Sequence, residues 1–363
     1  MHSLELVKPD GRALTLYSLA PLTPPKTVPS PFPGPLAARA HLRRHPLRGE
    51  WVTYATFRQD RTFLPPPQYD PLAPTVDEAL PTELPAGDWQ VGVFDNRFPA
   101  LGGPADAIAQ APLPVQRAAA DGHCEVVVYS QEATGSLGSL PLARIELVLE
   151  VWADRSARLG RCADVAYVLP FENRGAEVGV TLHHPHGQIY AYPVVPPVPA
   201  RMLEVARRHW QAEGRGVLET LIAAERTDGA RMLYEGSHAV AFVPACARYP
   251  YEAWVAPIAP AARLEELSAV QRADLARALK TVLLKYDGLW RRPMPYLMAW
   301  YQAASDGEAH PEAHLHAQLY PPYRTAERLK YLAGTELGAG FYAMDALPED
   351  KARELQAIEV TLS

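Results

Sequence analysis

One short pattern occurs twice in this chain, and it constrains the fold more than any other feature. His184-Pro185-His186-Gly187-Gln188-Ile189-Tyr190 is echoed by His314-Leu315-His316-Ala317-Gln318-Leu319-Tyr320. Both copies read HxHxQ, then an aliphatic residue and Tyr, and both run on into proline. Each sits late in a strand-rich half, and a long helical run precedes it. A tandem duplication with its boundary near residues 193–200 accounts for this most economically, dividing the chain into 1–195 and 196–363.

Periodicity supplies the elements around the two copies. Leu4–Val7 and Ala13–Tyr17 read as a hairpin about Pro9-Asp10-Gly11. Trp51–Ala55, Trp89–Phe94, Glu125–Tyr129, Ala166–Pro170, Ser237–Val243 and Ala253–Pro257 read as strands. Helices are expected over Ala143–Leu159, over Arg201–Arg226 with a break near Gly214-Arg215-Gly216, and over Leu264–Trp290, opening at the acidic Glu265-Glu266 turn.

Composition excludes several functions. The 363 residues are 48% hydrophobic and 21% charged, as in a soluble globular protein, and the net charge of −6 argues against broad binding to nucleic acid or membranes. No apolar run is long enough to span a bilayer, and the N-terminus lacks a signal-peptide pattern. Cys124, Cys162 and Cys246 are odd in number and carry no zinc-ribbon spacing, which points to a reducing, cytoplasmic setting. Proline, at 37 residues, clusters in 21–35 and 65–85, segments that read as extended connections or disorder.

Histidine carries the chemistry. In extended chain, residues i and i+2 share a face, so His184, His186 and Gln188 are expected side by side. Such a row can bind a metal or an anion, or aim one imidazole at phosphorus. The glycines at 175, 179 and 187 are expected to let backbone approach a bulky ligand. A histidine nucleophile needs a neutral ring whose second nitrogen is fixed by an acceptor. An HxH pair is otherwise a metal-ligand pair or surface decoration, and His183 offers a third ligand, although no Cys or carboxylate lies nearby at ligand spacing. The residues alone leave phosphate chemistry and a metal site both open.

The HPHGQ motif, preceded by Phe171-Glu172-Asn173-Arg174-Gly175, resembles the signature of galactose-1-phosphate uridylyltransferases of the histidine-triad superfamily. The likeness continues, in family order, through Asn96–Leu101, Pro250-Tyr251-Glu252, Tyr286–Trp290 and Leu315–Pro322, covering about Pro46 to Glu336. It implies an α+β fold of two tandem histidine-triad-like repeats, antiparallel half-barrel sheets with flanking helices. It also implies a ping-pong transfer of UMP from UDP-glucose to galactose 1-phosphate through a uridylyl-histidine. By motif position the nucleophile is His186, and Gln188 donates to a nonbridging oxygen of the transferring group. Arg58 and Arg61 match basic residues near the phosphates; Asn96 and Phe98 flank the uridine; Asn173, Gly179 and Thr181 lie along the phosphates. Lys330, Gly334 and Glu336 match a sugar-contacting segment, across a one-residue gap. The resemblance further implies a homodimer in which Arg58, Arg61, Lys330 and Glu336 serve the partner's histidine.

The chain also departs from that family. Many members hold zinc with a CxxC-type pair, a histidine after the Glu125–Tyr129 strand, and the first histidine of HPH. Here 61–70 has no cysteine and 131–134 no histidine, so only His184 remains. Of the positions matching an iron site, Tyr301, His316 and Gln318, only His316 is a histidine. No metal cofactor is therefore expected. Val180 replaces a frequent cysteine, and Thr335 a tyrosine that bears on substrate choice. Competing readings are a related phosphorylase acting on ADP-sugars or dinucleoside polyphosphates, a silent nucleotide-sugar binder, and a histidine-based metal protein.

Overall fold

The computed structural model describes residues 1–32, 40–60, 69–102 and 114–362. The chain opens on a hairpin, β1 (His2–Val7) and β2 (Ala13–Ser18). β3 (Val91–Asp95), β4 (His123–Val128), α1 (Leu142–Leu159), β5 (Tyr167–Arg174) and β6 (His186–Tyr192) follow. The second half contributes α2 (Pro197–Glu213), α3 (Val217–Asp228), β7 (Met232–Glu235), β8 (Ala239–Phe242), β9 (Ala253–Pro257), α4 (Ala269–Leu289), β10 (Tyr296–Tyr301), β11 (His316–Tyr320) and α5 (Pro348–Gln356).

These eleven strands form one antiparallel sheet in the order β1-β2-β3-β4-β6-β5-β10-β11-β9-β8-β7, with shorter strands in separate small sheets. Read outward from the β5–β10 seam, the two sides repeat: β5-β6-β4-β3 against β10-β11-β9-β8. The chain also visits them alike, with α1 between β4 and β5 and α4 between β9 and β10. This is the tandem repeat expected from the doubled motif, with the half-sheets joined edge to edge.

Alternation along β6 shows how the sheet divides its two faces. Gly187, Ile189 and Ala191 are buried toward the helices, while His186, Gln188, Tyr190 and Tyr192 take the other face. On the helical face α1 and α4 share one apolar core that spans both repeats. Its centre is aromatic, with Trp152 5.8 Å from Tyr129 and 5.9 Å from Trp300, centroid to centroid. α4 is buried along much of its length, and its lysines are satisfied by main chain: Lys280 donates to the Leu140 carbonyl and Lys285 to those of Leu355 and Ile358.

Several boundaries differ from expectation. The run 264–290 is two elements, because Ser268 and Gln271 form a capping box that starts α4 at Ala269; Glu265 and Glu266 belong to a preceding 3-10 turn, Leu264–Glu266. The break expected near Gly214 is present: Gly214, whose φ is 65°, ends α2, and α3 starts at Val217. β5 runs four residues past the expected end at Pro170, so Phe171–Arg174 belong to the strand. Of the proline clusters, residues 33–35 and 65–68 lie outside the described residues. The remainder lacks long elements, with a two-residue parallel pairing of Pro74–Thr75 to Leu84–Pro85. Among the described residues no helix is long and apolar enough to cross a membrane.

Candidate active site

Beside the open face of β6 is a cavity of about 240 Å³. His186 and Gln188 line it from β6, Phe171 and Asn173 from β5, Val126 from β4 and Phe94 from β3. Arg58, Asn96, Phe98, Gly179 and Thr181 complete the expected set. The strands thus bring together residues from widely separated parts of the first repeat, because β6 lies between β4 and β5 in the sheet.

His186 Nδ1 donates to the carbonyl of His184 at 2.7 Å. That bond fixes the tautomer and leaves the lone pair on Nε2. Burial pushes the ring below its ordinary value of 6.5, opposed by the same backbone bond, so the neutral form is favoured at pH 7. Gln188 Oε1 accepts from Asn96 Nδ2 at 3.4 Å, which directs its donor nitrogen elsewhere. Arg58 supplies positive charge in the wall, donating to the Phe98 carbonyl and to the Tyr190 hydroxyl. Asn96 accepts from the Phe98 amide at 2.8 Å, forming an Asx-turn that shapes the same wall. Phe32 meets Phe98 edge-on at 5.6 Å and Phe171 meets Tyr190 at 5.1 Å, giving the cavity apolar aromatic surfaces.

His184 does not join the row. β6 begins at His186, and the buried His184 ring turns away to bond Asp70 Oδ2 at 2.7 Å and the Ser130 carbonyl at 2.8 Å. The period-2 argument fails there because the chain is not yet strand. Burial raises the Asp70 carboxyl, but the His184 bond and backbone amides of Leu72 and Ala73 outweigh it and hold it below the ordinary 3.8. His183 is exposed and joins no cluster. Gly187 also has a different role from the one expected. A Cβ there would run into the Tyr129 hydroxyl and lie 2.9 Å from the Phe171 carbonyl, so the glycine makes room for the core rather than for a ligand. That hydroxyl donates to Glu172 at 3.3 Å and Tyr296 donates to the same carboxyl at 2.9 Å, while burial pushes Glu172 up to about 7. Gly175 is likewise crowded by Pro295, whereas Gly179, with φ of 80°, is open and lines the cavity.

The C-terminal site residues lie elsewhere. Lys330 donates to the Ala343 carbonyl at 2.7 Å and sits 3.7 Å from Glu336, which caps the Ala333 amide; both are buried within their own loop. Gly334 starts the π-helical turn of that loop, and none of the three lines the cavity. Arg58, expected to serve a partner's site, lines the cavity of its own chain, and Arg61 lies outside the described residues. Tyr190, Phe171 and Phe94 were not anticipated as site residues; Tyr190 could have been, by carrying the 186, 188 alternation one step further.

The residues do not fit the family's metals. Both His184 nitrogens are engaged, and the Gln131 amide is bound to the Gly87 and Trp89 carbonyls. In the second repeat His316 donates to the His314 carbonyl at 2.8 Å and accepts from Gln318 at 3.0 Å, with Tyr301 stacked on its ring. Among the described residues no three His, Cys, Asp or Glu side chains are grouped to hold an ion.

Comparison with known proteins places the chain. Residues 35–196 match the N-terminal domain of galactose-1-phosphate uridyl transferase, and residues 204–362 its C-terminal domain. The galactose-1-phosphate uridylyltransferase of Thermotoga maritima is 35% identical over 328 residues, covering 88% of this chain and 99% of the relative. That of Streptomyces lividans is 34% identical, covering 88% and 87%. A solved uridylyltransferase structure superposes with a TM-score of 0.77 at 31% identity, over 87% of this chain and 97% of that one. An ADP-glucose phosphorylase from Arabidopsis thaliana shares the fold, with a TM-score of 0.65 at 24% identity over 88% and 100%. With both halves matched in order and the doubled motif on paired repeats, the chain belongs to the galactose-1-phosphate uridyl transferase family.

Proposed function

We propose that the protein is a cytoplasmic UDP-glucose–hexose-1-phosphate uridylyltransferase working by a ping-pong mechanism on His186. One observation carries this reading: the His186 ring lines the cavity with Nδ1 committed to a carbonyl, so Nε2 holds its lone pair. In the first half-reaction Nε2 attacks the α-phosphorus of UDP-glucose. A P–N bond forms, the P–O bond to the β-phosphate breaks, and glucose 1-phosphate leaves. A phosphate oxygen of galactose 1-phosphate then attacks the same phosphorus, breaking P–N and giving UDP-galactose. Gln188 and Arg58 stabilise charge on the transferring group, and the aromatic walls hold uracil.

No metal enters these steps, since the chain's own hydrogen bonds occupy both histidines that remain of the family's ligand sets. Elemental analysis with activity before and after chelation tests this; stoichiometric zinc or iron required for activity would sink it. We also propose a homodimer, with residues 196–363 as the second repeat and its loop at 331–341 as the contact to a second copy. The exposed Tyr331, Leu337 and Phe341 favour that role for the loop.

Intact mass after incubation with UDP-glucose, and separately with ADP-glucose or ATP, tests the reaction. A UMP adduct absent from His186→Ala is the expected result. An AMP adduct alone would make the protein an adenylyl-transferring phosphorylase instead.

A further inference from the structure

The turn that follows Asp70 and the histidine motif are far apart in sequence, yet one side chain ties them together. Asp70 Oδ1 accepts the Leu72 amide at 3.0 Å and its main-chain carbonyl accepts the Ala73 amide at 3.2 Å, which folds 70–73 into a tight turn. Pro71 and Leu72 of that turn line the reaction cavity. The other carboxylate oxygen takes His184 Nδ1 at 2.7 Å, and the opposite edge of that ring meets the Ser130 carbonyl at 2.8 Å. The His184 side chain is therefore held at both ends, fully buried, between the cavity wall and the end of β4. Its own carbonyl is the acceptor that fixes His186 Nδ1. Next to it, the Pro185 carbonyl accepts the Tyr129 amide at 3.2 Å.

We infer that Asp70 is a positioning residue for the transfer reaction, a carboxylate that clamps His184 so that the His184 carbonyl presents His186 in its attacking tautomer. The inference rests on the reading of His186 as nucleophile. Asp70 does not itself line the cavity. It acts through His184, whose ring anchors the peptide carrying the critical carbonyl. Orientation of the peptide thus comes from a charged hydrogen bond on one edge of the ring and a main-chain acceptor on the other.

The test compares the full-length wild type with Asp70→Ala and Asp70→Asn. Single-turnover formation of the uridylyl adduct from UDP-glucose should slow by about 10- to 100-fold in Asp70→Ala, by analogy with loss of the hydrogen-bond partner behind a metal-ligating histidine. UDP-glucose affinity should change far less than the rate. Asp70→Asn retains an acceptor for Nδ1 and should recover most of the rate. Nitrogen-15 spectra of the histidine rings give the second readout: His186 should hold the Nδ1–H form in the wild type and Asp70→Asn, and exchange between tautomers in Asp70→Ala. An unchanged tautomer together with an adduct rate within about twofold of wild type overturns the inference. If the wild type forms no UMP adduct at all, the nucleophile reading fails, and the tautomer spectra still decide whether the clamp exists.

Discussion

Gln188 and Gln318 stand in one cross-strand row, separated by Phe171 and Ala299. Gln188 pairs with Phe171, Phe171 with Ala299 across the seam, and Ala299 with Gln318. The row continues symmetrically, through Val126 and Phe94 on one side and Trp254 and Phe242 on the other. Equivalent residues thus have opposite fates. Gln188 faces the cavity, while Gln318 is consumed by His316, Tyr320 and Arg248.

Substitution at the two positions should therefore separate rate from stability. Gln188→Ala should lower the rate of uridylyl transfer by about 10²–10³-fold, as for loss of one oxyanion donor, with little change in unfolding midpoint. Gln318→Ala should leave the rate within about threefold of wild type and cost about 1–3 kcal/mol, because it strands buried partners. Single-turnover kinetics and urea denaturation of both variants check this. A Gln318 variant as slow as the Gln188 variant would contradict the division of roles.

The pH dependence follows from burial of His186. Its protonated form has no lone pair, and its pKa lies below 6.5 in the folded protein. The first half-reaction should hold its plateau down to about pH 6.5 and lose rate only as pH falls through the lowered value. Adduct formation followed across the acid range measures it. An inflection above the free-histidine value, with chemistry rate-limiting, would count against the burial argument.

Gly187 and Tyr129 should behave as one unit. Gly187→Ala should destabilise the protein by about 1–3 kcal/mol through overpacking against the Tyr129 hydroxyl. Tyr129→Phe alone should cost about 0.5–1.5 kcal/mol, since Glu172 loses a donor. The double variant should be more stable than the sum of the two losses, because the tightest of the Cβ contacts, that with the hydroxyl, is removed. Additive denaturation energies would refute the coupling.

Subunit sharing can be read by complementation. Under the proposed dimer, His186→Ala is dead, and a double Lys330→Ala, Glu336→Ala variant is impaired because the loop they staple collapses. Mixing and refolding the two should restore roughly a quarter of wild-type sites, since mixed dimers keep one intact site. A monomer by sedimentation at assay concentration, or no recovery despite proven subunit exchange, rules this out.

Much of this architecture is legible in the residues. The doubled HxHxQ pattern implies the repeat, and alternation puts His186 and Gln188 on one face, as β6 has them. Helix α1 begins within one residue of its expected start. The seam between β5 and β10 is not legible, because an edge-to-edge register between strands so distant in sequence has no local signal. His184 was misplaced for a related reason. Alternation describes a strand, and Pro185 precedes the first residue that pairs as one. The partner that decides the direction of His184, Asp70, lies in a proline-rich stretch with no periodicity at all. Gly187 reads in sequence as room for a ligand, and only the Tyr129 hydroxyl behind it shows otherwise.

The β5–β10 seam also sets a hazard during synthesis. β5 pairs with residues 296–299, so this contact cannot form until most of the chain has left the ribosome. Until then the finished first repeat carries β5 as an open edge, with a row of unpaired amides and carbonyls and no proline beyond Pro170 to blunt it. Nascent chains side by side on one messenger would present identical edges to one another. Slowing translation after the first repeat should therefore raise the insoluble fraction.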